Sequence, residues 1–355
     1  MRARERCFVS FHQNSAAIMR AGRLNLSSPP RTSIQHHVQP SPKLEVLQDP
    51  ELLQRSLVHL APASSLLGLG RHLFGGGALD IAVVGASVAQ AGGCLDQPAK
   101  RCMEYRGVDR LYNPVPPHQH RVLIKGFLVR FLEAINRTWP AAHRIHNGAA
   151  DATPADLLAE CLFSHIPRRP HLVVLEFGSM AKSTTPEAVE AIVRALLDVP
   201  SPPAIVFLSV REWAHRRDPR NLTLWGQYER TAWHRMENYL LRLCQHYRVS
   251  CLSYFEALAP LMYSSPPRLT LLDVASDGLH PSTGRLGVDL LAAMLTHWLE
   301  HALASVLTSG LLRPSATQAT FAQMMSPPLP PSPPPPPPAH DWGRLPPPLY
   351  PMPAK

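Results

Sequence analysis

The sequence predicts a three-layer α/β/α sandwich of the flavodoxin-like kind, built on a five-stranded parallel sheet. Three observations lead there. Short apolar runs alternate with longer amphipathic stretches between Asp80 and Leu303. The runs are apolar on both faces, as strands covered by helices on each side require. Turns rich in Gly, Ser, Asn and Asp follow them, at the carboxyl end where such sheets bind ligands.

The elements follow in order. Asp80 to Val84 reads as a buried strand ending at Gly85. Gln119 to Trp139 carries Val122, Phe127, Phe131 and Ile135 at helical spacing. Arg144 to Asn147 is a second strand. Pro154 to Ile166 is a helix with proline at its first turn, and so is Pro186 to Val199. Between them His171 to Phe177 is the clearest strand of the chain. Pro203 to Val210 and Val249 to Tyr254 complete the sheet, separated by a helix from Glu229 to Tyr247. Thr283 to Leu303 closes the domain as a helix.

Composition sets the boundaries. Of 39 prolines, many crowd between Pro327 and Pro353, with an unbroken run from Pro333 to Pro338. Such a tail is extended or disordered and docks onto partners in some proteins. Residues 1–75 lack strong periodicity. The expected organisation is therefore a poorly structured region over 1–75, one domain over 76–306, and a Pro-rich disordered tail over 307–355. The net charge of +9 falls mostly in the two flanking regions, so the domain is not an evident nucleic-acid binder. The cluster Arg211, Arg216, Arg217 and Arg220 is diluted by Glu212 and Asp218 and reads as a solvated loop. Trp225 lies in the same long segment, which has a place at the border of a substrate cleft. No apolar run is long enough for a transmembrane helix.

The start of the chain has arginines and serines and no acid between residues 6 and 44, as organelle-targeting segments do. Asn25, Asn136 and Asn221 lie in glycosylation sequons, which favour a secretory route instead. The six cysteines show no metal spacing. Cys94 and Cys102 are spaced for a disulfide or are free thiols; Cys244 and Cys251 form the other close pair.

Chemistry concentrates in a few short segments. Asp277-Gly278-Leu279-His280-Pro281 places an acid three residues before a histidine in a proline-closed turn. Such a carboxylate orients the imidazole through Nδ1 and leaves Nε2 to accept a proton. Val84-Gly85-Ala86-Ser87 places a serine just past a strand, with its backbone N–H available to a developing oxyanion. In His146-Asn147-Gly148 the glycine N–H is a second such donor. His143 and His146 point to opposite faces of a strand, so they do not share a metal. His118 and His120 read as solvated. Glu176, on a strand, reads as a structural or supporting acid.

In this order the segments resemble the blocks of the SGNH (GDSL-type) serine esterase/lipase hydrolase family, over roughly residues 78–306. Gly85-Ala86-Ser87 is similar to the block that carries the nucleophile. Asn147 to Thr153 is similar to the second block, Gly178-Ser179-Met180-Ala181 to the third, and Ser276 to Ser282 to the fifth. The resemblance implies a catalytic triad of Ser87, His280 and Asp277, and an oxyanion hole from the N–H groups of Ser87 and Gly148. It implies no metal and no organic cofactor. The family's first-block aspartate is Ala86 here. Its third-block asparagine is Met180, a thioether that donates no hydrogen bond, and the following aspartate is Ala181. Ser179, Lys182 and Ser183 are the candidates to replace that donor.

Two functions follow. One is a serine hydrolase acting on a small carboxylic ester, an acetylated glycan or a lipid, through an acyl-enzyme. The alternative is a catalytically weak or inactive SGNH-like domain that binds carbohydrate or protein, motivated by Met180.

Overall fold

The computed structural model describes residues 46–47, 49–92, 126–213, 232–275, 279–281, 286–312 and 346–349. The strands are β1 (Leu57–His59), β2 (Asp80–Gly85), β3 (Arg144–Asn147), β4 (Leu172–Glu176), β5 (Ala204–Ser209) and β6 (Ser250–Ser253). Three of them, β2, β4 and β5, form where the chain is almost continuously apolar. The helices are α1 (Pro50–Ser56), α2 (Ala63–Phe74), α3 (Phe127–Thr138), α4 (Ala155–His165), α5 (Pro186–Leu197), α6 (Ala232–Tyr247), α7 (Tyr254–Met262), α8 (Leu271–Val274) and α9 (Leu286–Thr308).

The sheet runs in the order β1-β6-β5-β4-β2-β3. The five expected strands are parallel, and each lies within two residues of its anticipated ends. Alternation along the strands divides the interior into two layers. Ile81, Val83, Leu172, Val174, Val206 and Leu208 face α1, α2, α3, α7 and α9. Ala82, Val84, Val173, Leu175, Ile205 and Phe207 face α4, α5 and α6. The three-layer sandwich follows from that division.

The strand count needs one correction. A sixth strand, β1, pairs antiparallel with β6 at the sheet edge, Leu57 opposite Leu252. Its three residues are too few to show a period, so the sequence carried no signal for it. The boundary at residue 76 moves with it. Asp49 caps α1 by accepting the Glu51 and Leu52 N–H groups, and Pro50 sits at its first turn. Leu52, Leu66, Leu69 and Leu73 are buried in the same core as α9. Gly70 of α2 approaches α9 so closely that a Cβ there would sit 2.9 Å from Val306 Cγ1. Residues 50–74 are therefore part of the domain.

Length and apolarity alone would let α9 cross a membrane. Here it is the central helix of one layer, with Leu291, Leu295, Trp298, Leu299 and Val306 buried. Arg130 of α3 pairs with its Asp289. Cys244 and Cys251 are joined by a disulfide between α6 and β6, and Cys161 is disulfide-bonded as well. Cys94 and Cys102, His118 and His120, and Gln119 to Lys125 of the expected helix lie outside the described residues, as do Asn25 and Asn221.

Because α1, β1 and α2 complete the core, a chain starting at Gly76 should lose cooperative urea unfolding. One starting at Leu44 should keep it, and equal stability of the two would contradict this boundary.

Candidate active site

From β2 the chain passes to β3 on one side and then returns to β4 on the other. The crevice for ligands therefore lies beyond the carboxyl end of β2. Ser87 stands there, two residues past Gly85, with Ala86 fully buried beneath it. A single π turn, Val88–Gly92, follows. Turns of this rare type recur at functional sites.

Ser87 Oγ lies 2.8 Å from His280 Nε2, across 193 positions of sequence. The distance is that of a strong hydrogen bond between the hydroxyl and the ring nitrogen. His280 is 6% exposed. Its loop closes on itself through a bridge between Ala275 and Pro281, and Tyr254 Oη holds the loop's entrance by donating to Val274 O at 2.9 Å. Asp277, between Ala275 and Pro281 in sequence, lies outside the described residues.

Below this pair sits an acid. Glu176, the last residue of β4, is fully buried. Ser179 donates to it twice, from N and from Oγ, each at 3.0 Å. The backbone N–H groups of Ala86 and Ala89 are also hydrogen-bond donors to its carboxylate. One side chain thus joins the serine turn to the turn after β4. Burial pushes its pKa up to about 7, against the pull of these donors. Gly85 makes the junction possible, since a Cβ there would lie 2.5 Å from Glu176 O. The sequence placed Glu176 as a supporting acid without showing what it supports; the only available signal was a carboxylate ending an otherwise apolar strand.

Asn147 is a second tie that the sequence did not reveal. Its Nδ2 donates to Ala89 O at 3.0 Å and its Oδ1 accepts from Ala149 N at 3.1 Å. It therefore fixes the π turn to the loop after β3. Gly148 corrects an expectation. Its N–H donates to Val83 O at 2.9 Å, in continuation of the β2–β3 ladder, so that hydrogen is not aimed at an oxyanion. What requires glycine is packing, because a Cβ would meet His165 O at 2.6 Å. Farther along the same loop Ala152 adopts φ 52°, the left-handed region uncommon for alanine.

Met180 ends the short 3₁₀ turn Gly178–Met180. Two of its candidate substitutes are engaged elsewhere. Ser179 Oγ faces Glu176, and Lys182 lies over the Trp233 ring at 4.3 Å and 3.6 Å from Glu212. Ser183 is exposed. Arg211 is not solvated as the sequence suggested: it is buried, its guanidinium 3.5 Å from the centre of the Phe255 ring. Arg216, Arg217, Arg220 and Trp225 lie outside the described residues. His143 is a core residue, accepting from Leu79 N at 2.9 Å and donating to Trp139 O at 2.6 Å. His146 lies 3.6 Å from Asp80.

Comparison with protein-family models and with curated proteins returns no match to this chain. Solved structures similar to it do exist. One is a two-domain esterase described as active on acetylated mannans, with TM-score 0.50 and 19% identity. The match covers 71% of this chain and 57% of that one, so the chain spans little more than half of its length. Another is a lipase/acylhydrolase from Enterococcus faecalis, with TM-score 0.40 and 15% identity, covering 61% of this chain and 93% of that one. The chain has the three-layer α/β/α fold expected from its sequence, shared with that two-domain esterase, with one strand more than expected.

Two consequences can be measured. Gly85→Ala should cost about 1–3 kcal/mol by overpacking the β2–β4 junction. A change of less than about 0.5 kcal/mol, the range of a neutral surface substitution, would show that the junction yields. The pH-dependence concerns Glu176. Its folded pKa lies above the ordinary value of 4.5, so the folded protein holds a proton that the unfolded chain releases. This contribution is complete below pH 4.5 and is lost as pH rises to about 7. It amounts to about 3 kcal/mol at most. Urea unfolding of Glu176→Gln across that range should lack this decline, and an unchanged slope would assign it to other groups.

Proposed function

We propose that the chain is a serine hydrolase that cleaves carboxylic esters through an acyl-enzyme. The observation that carries this is the 2.8 Å contact between Ser87 Oγ and His280 Nε2 at the ligand-binding end of the sheet. A nucleophile and its base within hydrogen-bond reach are the minimal machinery of such catalysis.

His280 Nε2 takes the Ser87 proton as Oγ attacks the ester carbonyl carbon. The tetrahedral oxyanion is met by the Ser87 N–H. His280 then returns the proton to the alcohol oxygen as the carbon–oxygen bond breaks. In the second half, His280 takes a proton from water, the hydroxide adds to the acyl carbon, and Ser87 leaves with the proton. Asp277, three residues before His280, holds the ring by accepting from Nδ1–H. An acetylated glycan is the substrate class assigned first, because the esterase of like fold acts on acetylated mannans.

The hole lacks the amide that an asparagine at position 180 would supply, and with Gly148 committed to the sheet this defect lowers the rate rather than the affinity.

Hydrolysis of p-nitrophenyl acetate tests the assignment. Ser87→Ala and His280→Ala should each lower kcat by at least about 10³, with retained folding. Activity surviving in Ser87→Ala would transfer the nucleophile to another residue. Met180→Asn should raise kcat by about tenfold or more with little change in KM, in keeping with the worth of one oxyanion donor; a lower kcat would show that Met180 does not border the hole.

A further inference from the structure

The Pro-rich tail returns to the domain. Four of its residues, Pro346–Leu349, lie against α5 and α6, two helices joined by the bond from Tyr239 Oη to Pro186 O at 2.6 Å. Arg194 Nη1 donates to Pro346 O at 2.7 Å. His246 Nε2 donates to Pro347 O at 2.9 Å. Leu349 N–H donates to Glu190 Oε1, and the Leu349 side chain packs against the apolar layer under these helices.

These helix groups are themselves linked. Tyr247 Oη donates to Glu190 Oε1 and accepts from Arg194 Nη1 at 2.8 Å. The Arg194 guanidinium lies 5.9 Å from the centre of the Tyr247 ring, and His246 meets that ring edge-on. Glu190 and Tyr247 are buried.

The order of these contacts matches the chemistry of a proline run. Proline has no N–H, and each proline holds the residue before it in extended backbone. A run of prolines therefore offers carbonyl acceptors and no donors, in a conformation that loses little entropy on docking. The two prolines that contact the helices meet two donors, Arg194 and His246. The first residue after the run regains an N–H, and there the surface presents a carboxylate. The same residue supplies the apolar side chain that enters the layer below.

We propose that Glu190, Arg194, His246 and Tyr247 form a recognition site for a polyproline II segment ending in an apolar residue, with the chain's own Pro346–Leu349 as its occupant. Tethering places the segment at an effective concentration on the order of millimolar, so a few contacts suffice to keep it seated. The site lies on a helical layer, separate from Ser87 and His280, and it does not rest on the ester chemistry.

A labelled peptide spanning Arg344 to Pro353 tests this by fluorescence anisotropy on the full chain. The unaltered chain should bind it weakly, because its own tail competes. Leu349→Asp should expel the tail, by removing the apolar anchor and placing a second carboxylate beside Glu190, and should tighten peptide binding at least tenfold. Adding Arg194→Ala to that variant should reverse the gain at least tenfold, and adding His246→Ala should reverse it severalfold, with thermal unfolding confirming that each chain is folded. Equal binding by the unaltered and Leu349→Asp chains, no binding by the latter, or indifference to Arg194→Ala would overturn the proposal. So would a dimer in sedimentation that dissociates in Leu349→Asp, since the occupant would then come from a second copy.

Discussion

The site depends on how closely β2 and β4 approach at their carboxyl ends. Gly85 allows it by presenting no Cβ to Glu176 O. The Glu176 carboxylate then lies under the serine turn and gathers donors from Ala86, Ala89 and both groups of Ser179. A buried carboxylate is costly unless its lone pairs are filled, and here the groups that fill them are the two turns that must be held still. Ser87 is thus aimed from below by one acid and from the side by Asn147, which clasps the same π turn. What remains for His280 is to arrive at the right distance, and the bridge between Ala275 and Pro281 closes the loop that delivers it.

This arrangement shows how the serine turn is held with Ala86 at the position where the resembling motif has an aspartate. An aspartate would support the serine turn from within; in this chain Glu176 supports it from the adjacent strand. The same arrangement shows where the site is weakest. On the proposed ester-hydrolase reading, with Met180 in the third turn and the Gly148 amide committed to Val83, the groups that would face an oxyanion are fewer than the motifs implied. On that reading the Ser87–His280 contact is the well-built half of the machinery.

Much of the fold was legible because its central strands β2, β4 and β5 are apolar on both faces and the strands are separated by helices of ordinary length. β1 was not, since three residues carry no period and its place is fixed by β6. Ser87 and His280 were legible because each sits in a turn with its own signature of glycine or proline. The fate of the Gly148 amide was not, because it depends on the register of β3 against β2, which no local pattern states. Arg211 read as a surface charge, and its burial against Phe255 follows from contacts far along the chain. The tail read as extended or disordered because proline runs cannot make a core, although they can lie on one.

Ser87 as the nucleophile and His280 as its base are the central assignment. The most direct measurement is labelling of the folded chain with a fluorophosphonate, followed by peptide mass spectrometry of the modified residue. The phosphonyl group should be found on Ser87, and His280→Ala should slow its attachment by about 10³ or more. A label on another residue, or labelling of Ser87 at an undiminished rate without His280, would contradict it.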